Sequence, residues 1–127
     1  MKIAKNLAKN LKKNNVLALN GELGTGKTQF VTGIVKKISP KTIVSSPTFV
    51  LLNEYKGEIP IYHFDVYRTE ACDFHFQELI KEYFSNNGIC IIEWANKITK
   101  ILPSNCIKIE IKKNLSKGDS FREITIC

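Results

Sequence analysis

The sequence predicts an α/β fold, a mixed β-sheet flanked by helices, and three observations carry that expectation. Val16-Leu17-Ala18-Leu19 and Ile89-Cys90-Ile91-Ile92 are apolar at every position, as strands buried on both faces must be. Between them, Phe30, Val31, Ile34, Val35 and Ile38 recur at helical spacing. Residues 106–111 and 121–126 alternate between apolar and polar, the mark of strands with one wet face. With no repeat, low-complexity tract or linker, residues 1–127 are expected to form a single domain. At that length roughly two-thirds of the unfolded surface can be buried.

The elements follow in order. Residues 1–13 read as a helix with Ile3, Ala4, Leu7, Ala8 and Leu11 on one face, ended by Asn14-Asn15. The first apolar strand comes next, then a glycine turn and the helix that Pro40 closes. Ile43-Val44 opens a new segment, interrupted by Ser45-Ser46-Pro47-Thr48. Phe49 to Tyr55 and Ile59 to Phe64 flank the turn Lys56-Gly57-Glu58, a hairpin by spacing. Thr69 to Asp73 is polar, a loop or helix start. Phe76, Leu79, Ile80, Tyr83 and Phe84 mark a short amphipathic helix, stopped by Asn86-Asn87-Gly88. The second all-apolar strand ends on Glu93, and a loop or short helix leads to Pro103. Two alternating strands joined through Leu115 to Asp119 complete the chain. A parallel centre built on the two all-apolar strands, with antiparallel additions elsewhere, is the expected sheet.

The glycine turn is the most specific feature. Gly21-Glu22-Leu23-Gly24-Thr25-Gly26-Lys27-Thr28 fits the P-loop pattern G-x-x-x-x-G-K-[ST], and it stands between a buried strand and an amphipathic helix, as that mechanism requires. Glycines let successive N–H groups turn inward around a phosphate. Lys27 supplies a cation for β- and γ-phosphates, the Thr28 hydroxyl is placed to ligate Mg²⁺, and the helix adds the positive end of its dipole. The fold class sharpens to a P-loop NTPase-like sheet.

Bulk properties narrow the remaining possibilities. The formal charge is +7, and of the 19 basic residues only Arg68 and Arg122 are not lysine. The lysines are spread over several elements and do not alternate with aromatics, so they read as solvated surface rather than a base-stacking platform, though a basic surface could help approach an RNA-bearing partner. No apolar run approaches the ~18 residues of a membrane span, and Met1-Lys2-Ile3-Ala4-Lys5 has no apolar secretory region. Cys72, Cys90, Cys106 and Cys127 form no C-x-x-C pair, and a reduced, cytoplasmic protein is expected.

Hydrolysis at a P-loop needs a second anchor for the metal and a group that positions water. Ile89 to Ile92 ending on Glu93 describes the strand that provides such an anchor, with the carboxylate emerging at the strand's C-terminal end beside the phosphate loop. Asp65 ends the run Ile61-Tyr62-His63-Phe64; it could orient the attacking water or bind Mg²⁺ through water. Arg68 could stabilise charge on the γ-phosphate or pair with an acid. His63 reads as a packed or hydrogen-bonded histidine, since no second ligand sits at suitable spacing. Trp94 reads as core or partner surface.

Taken together, Gly21 to Thr28, Ser46-Pro47-Thr48-Phe49, His63-Phe64-Asp65-Val66-Tyr67-Arg68 and Ile92-Glu93-Trp94 resemble the TsaE (YjeE) family, the small P-loop ATPases of bacterial tRNA threonylcarbamoyladenosine (t6A) biosynthesis. The blocks agree in order and spacing from about residue 15 to residue 95. The resemblance implies that residues 1–127 are a P-loop ATPase domain in which Leu23, Gly24, Thr25, Gly26, Lys27 and Thr28 bind ATP phosphates. It further implies that Thr28 and Glu93 coordinate Mg²⁺ and that Asp65 is the catalytic carboxylate. Thr48 would lie on a switch-like loop sensing the γ-phosphate, and Trp94 near the nucleotide or a partner interface. Members act with two partners, TsaB and TsaD, hydrolysing ATP on that heterodimer to reset it between rounds, and meet tRNA through the complex. Two departures stand out. Members usually carry a further N-terminal strand and a Thr near the adenine before the first helix; this sequence starts at that helix, so either an incomplete base pocket or a shortened start is expected. Ala95 replaces the usual proline after Glu-Trp, loosening the local backbone.

Two other functions compete. A small-molecule kinase on the same loop would need a lid and several arginines to clamp two phosphoryl groups; the chain has two arginines and little length for a lid. A basic RNA-binding scaffold with a vestigial P-loop would have no use for Lys27-Thr28, Asp65 and Glu93 together.

Overall fold

The computed structural model describes residues 2–21, 26–39, 52–67, 73–113 and 122–127. In chain order these form α1 (Lys2–Ala8), β1 (Val16–Asn20), α2 (Lys27–Ile38), β2 (Leu52–Tyr55), β3 (Ile61–Asp65), α3 (Phe74–Tyr83) and β4 (Ile89–Glu93). Two single-turn 3₁₀ helices, Ala95–Lys97 and Thr99–Ile101, precede β5 (Ile107–Lys113) and β6 (Arg122–Ile126).

The strands form one sheet in the order β2-β3-β4-β1-β5-β6. As expected, the all-apolar β1 and β4 lie side by side and parallel at the centre, Val16 beside Cys90 and Ala18 beside Ile92. The parallel centre is wider than the sequence predicted, because β3 joins β4 and β5 joins β1 in the same sense. Among the described residues only the outer strands β2 and β6 are antiparallel, each paired with its chain neighbour. Burial accounts for β3, since every residue of β3 and of β4 is buried, as parallel strands covered on both faces require; β5 keeps a wet face, with Lys108, Glu110 and Lys112 exposed.

Alternation sorts the side chains of the central strands into two cores. One face carries Leu17, Leu19, Ile61, Ile89, Ile91, Ile109 and Ile111 against Ala4 and Ala8 of α1 and Phe30, Val31, Ile34 and Val35 of α2. The other carries Val16, Ala18, Tyr62, Phe64, Cys90 and Ile92 against Ile80 of α3 and Ala95 and Ile98 of the 3₁₀ turns. Cys90 is fully buried there as a small hydrophobe, and burial pushes its thiol up to about 12.

Several boundaries differ from the sequence expectation. The first helix stops at Ala8 rather than near residue 13. Asn10 and Leu11 donate to carbonyls three residues back, so tight turns keep Leu11 on the core side after the helix has ended. α3 begins two residues before its first periodic apolar residue because Asp73 caps it, its carboxylate accepting from the His75 N–H at 2.8 Å. β3 starts at Ile61 rather than Ile59, after Pro60, whose carbonyl accepts the Ile89 N–H at 2.9 Å. The expected segments at 43–51, 69–72 and 115–119 lie outside the described residues. Among the described residues no helix is long and apolar enough to cross a membrane.

Candidate functional site

Register brings the chemistry together. Glu93, the last residue of β4, stands beside Asp65 of β3 on one side and Leu19 of β1 on the other. The C-terminal tips of three adjacent parallel strands therefore form one edge, and the N-terminal end of α2 begins there. Gly26 opens α2 in the left-handed region, φ 98°, a conformation glycine adopts without the Cβ penalty. Four fully buried α2 residues, Phe30, Val31, Ile34 and Val35, dock the helix on the sheet and so fix where its first turn points. Lys27 occupies that turn and is only 6% exposed. Its Nζ donates to the Gly21 carbonyl and stands 4.2 Å above the centroid of the Trp94 ring. The Thr28 side chain is half-buried in the same turn, and its backbone carbonyl accepts the Thr32 hydroxyl at 2.8 Å.

Both strand-tip acids are buried. Glu93 Oε2 lies 2.6 Å from Nε2 of the fully buried His63, whose Nδ1 is 3.3 Å from the Tyr55 hydroxyl. Asp65 Oδ1 accepts the Tyr67 N–H at 2.9 Å. Burial raises the Asp65 carboxyl above its ordinary value; the Tyr67 hydrogen bond opposes this, neighbouring Glu93 adds to it, and His63 and Lys27 pull it back.

Trp94 follows Glu93 with φ 63° and ψ 33°, a left-handed conformation costing a non-glycine residue about 1–2 kcal/mol. Its N–H donates to the Leu19 carbonyl at 2.9 Å, tying the turn after β4 to β1, and its ring contacts Tyr67 with centroids 4.8 Å apart. Lys97 Nζ donates to the Tyr67 carbonyl at 2.6 Å, and Asn20 Oδ1 accepts the Asn96 N–H at 2.8 Å. The segments leaving β1, β3 and β4 are thus stitched to one another.

Of the residues singled out from sequence, Lys27, Asp65, Glu93 and Trp94 meet at this edge, with Gly26 and Thr28 in the adjoining turn. Leu23, Gly24, Thr25, Thr48 and Arg68 lie outside the described residues. His63 is hydrogen-bonded, as the sequence suggested, but its partner Glu93 was not legible there. Alternation puts residues 61, 63 and 65 on one face; only the β3–β4 register brings position 93 to that face. Tyr55, Tyr67 and Lys97 are additions that spacing did not signal.

Fold and site together define the class: an α/β protein with helices on both faces of a mixed sheet, and with a lysine and two carboxylates gathered where a glycine-rich stretch of sequence leads into a helix. Residues 1–123 match the family model described as "Threonylcarbamoyl adenosine biosynthesis protein TsaE". The chain is 44% identical over 125 residues to the tRNA threonylcarbamoyladenosine biosynthesis protein TsaE of Bacillus subtilis strain 168, covering 97% of this chain and 75% of the relative. To the protein of the same name from Treponema pallidum it is 34% identical over 116 residues, covering 91% and 84%. Its fold is similar to the crystal structure of Bacillus subtilis YdiB, with a TM-score of 0.80 at 38% identity, covering 98% of this chain and 75% of that one. The chain belongs to the TsaE family.

Proposed function

We propose that this chain binds ATP with Mg²⁺ at the C-terminal edge of its sheet and hydrolyses it within the tRNA t6A modification machinery. The observation that carries the reading is the convergence of Lys27, Asp65 and Glu93 at the first turn of α2, behind a G-x-x-x-x-G-K-T sequence. Family membership supplies the pathway.

The residues have separable tasks. Lys27 and the helix N-terminus neutralise phosphate charge without chemistry of their own. Thr28 and Glu93 are hard oxygen donors of the kind Mg²⁺ takes, and would hold it with the remaining ligands coming from phosphates and water. Among the described residues no group of three His, Cys, Asp or Glu forms a self-sufficient metal cage, in keeping with a metal that arrives with its nucleotide. Held there, Mg²⁺ would supply charge neutralisation to the bound phosphates. Asp65, oriented through one oxygen by the Tyr67 N–H, would position the attacking water, and its burial makes it a stronger base than an exposed aspartate. Arg68 and Thr48 would act on the γ-phosphate side and Trp94 beside the nucleotide.

In this reading the chain docks on a TsaB–TsaD heterodimer in the cytoplasm, hydrolysis resets that complex, and tRNA is met only through it. The charge of +7 favours approach to such an RNA-bearing assembly. The test is ATP turnover of the purified chain, alone and with the TsaB–TsaD pair. Mg²⁺-dependent hydrolysis stimulated by the pair is expected. Phosphorylation of an added metabolite, or RNA binding indifferent to nucleotide, would overturn the reading.

A further inference from the structure

Glu93 is 4% exposed, and three torsions separate its carboxylate from the backbone, so some contact must hold that carboxylate in one direction. The contact comes from the neighbouring strand. His63 lies two residues before Asp65 on the same face of β3, is fully buried, and brings Nε2 to 2.6 Å from Glu93 Oε2. With a carboxylate as acceptor, Nε2 carries the hydrogen. In the neutral imidazole Nδ1 then accepts from the Tyr55 hydroxyl, 3.3 Å away on β2. Tyr55 is itself 6% exposed, with its ring centroid 6.0 Å from that of His63. A directional chain, Tyr55 O–H to Nδ1 and Nε2–H to Oε2, thus crosses three neighbouring strands. All three groups are held by sheet hydrogen bonds rather than by a loop.

We propose that His63 is a positioning residue for the metal site: it fixes one carboxylate oxygen of Glu93 so that the other faces the metal, and Tyr55 fixes the ring. A histidine spaced for packing thereby takes the role that outer hydrogen-bond partners take at metal centres, where they orient the ligand and set its donor strength. The inference rests on Glu93 as a metal ligand, and the experiment separates the two.

The measurement is Mn²⁺ affinity of the ADP complex, read from the free Mn²⁺ electron paramagnetic resonance signal, beside affinity for a fluorescent ADP analogue in EDTA. His63→Leu should weaken Mn²⁺ binding about 10- to 100-fold and leave metal-free nucleotide affinity unchanged. His63→Gln, whose amide reaches where Nε2 stood, should stay within about threefold of the natural chain because one hydrogen bond is retained. Tyr55→Phe, which keeps the ring, should weaken Mn²⁺ about 2- to 10-fold; with His63→Gln it keeps the test decisive if the leucine variant does not fold. Equal losses with and without metal would mean a purely structural histidine and overturn the proposal, as would unchanged Mn²⁺ affinity in His63→Leu or Tyr55→Phe while Glu93→Gln abolishes it. If Glu93→Gln itself leaves Mn²⁺ binding intact, the metal-ligand reading falls and takes this inference with it.

Discussion

Replacing Lys27 with alanine puts the phosphate-binding reading under the most direct mutational test. The ammonium has three donors; the Gly21 carbonyl can keep one while phosphate oxygens take the other two. Two charge-assisted hydrogen bonds are worth about 3–6 kcal/mol together. Against this stands the 4.2 Å contact with the Trp94 ring, worth about 1 kcal/mol, which the ammonium gives up to reach phosphate. The balance is about 2–5 kcal/mol, so Lys27→Ala should weaken ATP binding by roughly 30- to 4,000-fold. Isothermal titration calorimetry measures this, with a circular dichroism melt to show that the fold persists. ATP affinity within threefold of the natural chain would refute the phosphate role, because the lysine would then serve contacts within the chain, those to Gly21 and Trp94 among them.

Asp65→Asn should retain nucleotide binding and lose turnover, since the amide oxygen can still accept the Tyr67 N–H but cannot act as a base. The same variant has a stability signature. Burial raises the folded carboxyl above 3.8, so its stability contribution is complete below that value and is lost as pH rises through the folded one. Asp65→Asn should therefore melt higher than the natural chain at neutral pH and lose that advantage in acid; a lower neutral-pH melting temperature would contradict the assignment. Gly88→Ala should cost about 1–3 kcal/mol in urea unfolding, because an added Cβ would sit 2.6 Å from the Pro60 carbonyl oxygen where β3 and β4 begin; an unchanged midpoint would mean that junction relaxes freely. Cys90, its thiol at about 12 and fully buried, should resist maleimide at pH 8 while the exposed Cys127 reacts, as peptide mass spectrometry can follow.

What the sequence disclosed and what it withheld differ for a physical reason. β1 and β4 were legible because burial on both faces leaves an unbroken apolar run, and Glu93 was legible as the acid ending one of them. The hairpin of β2 and β3 was legible from spacing. The parallel attachment of β3 and β5 was not, since an all-apolar or alternating run does not say which neighbour it pairs with. The same gap hid the site's inner contacts. His63 and Glu93 are thirty residues apart, and they meet only because one register of β3 on β4 brings both to the α2 face. Lys27 and Trp94 likewise meet only after α2 has docked. Motifs name the reacting groups; pairing decides what holds them.

A crystal structure of the chain with Mg²⁺ and a non-hydrolysable ATP analogue tests the central claim most directly. The triphosphate is expected at the first turn of α2, with Lys27 on its β- and γ-oxygens. Thr28 and Glu93 are expected on the metal, at about 2.0–2.1 Å directly or through one water, with Asp65 facing the γ-phosphate. A triphosphate bound elsewhere, or a metal with no link to Glu93, would contradict that claim.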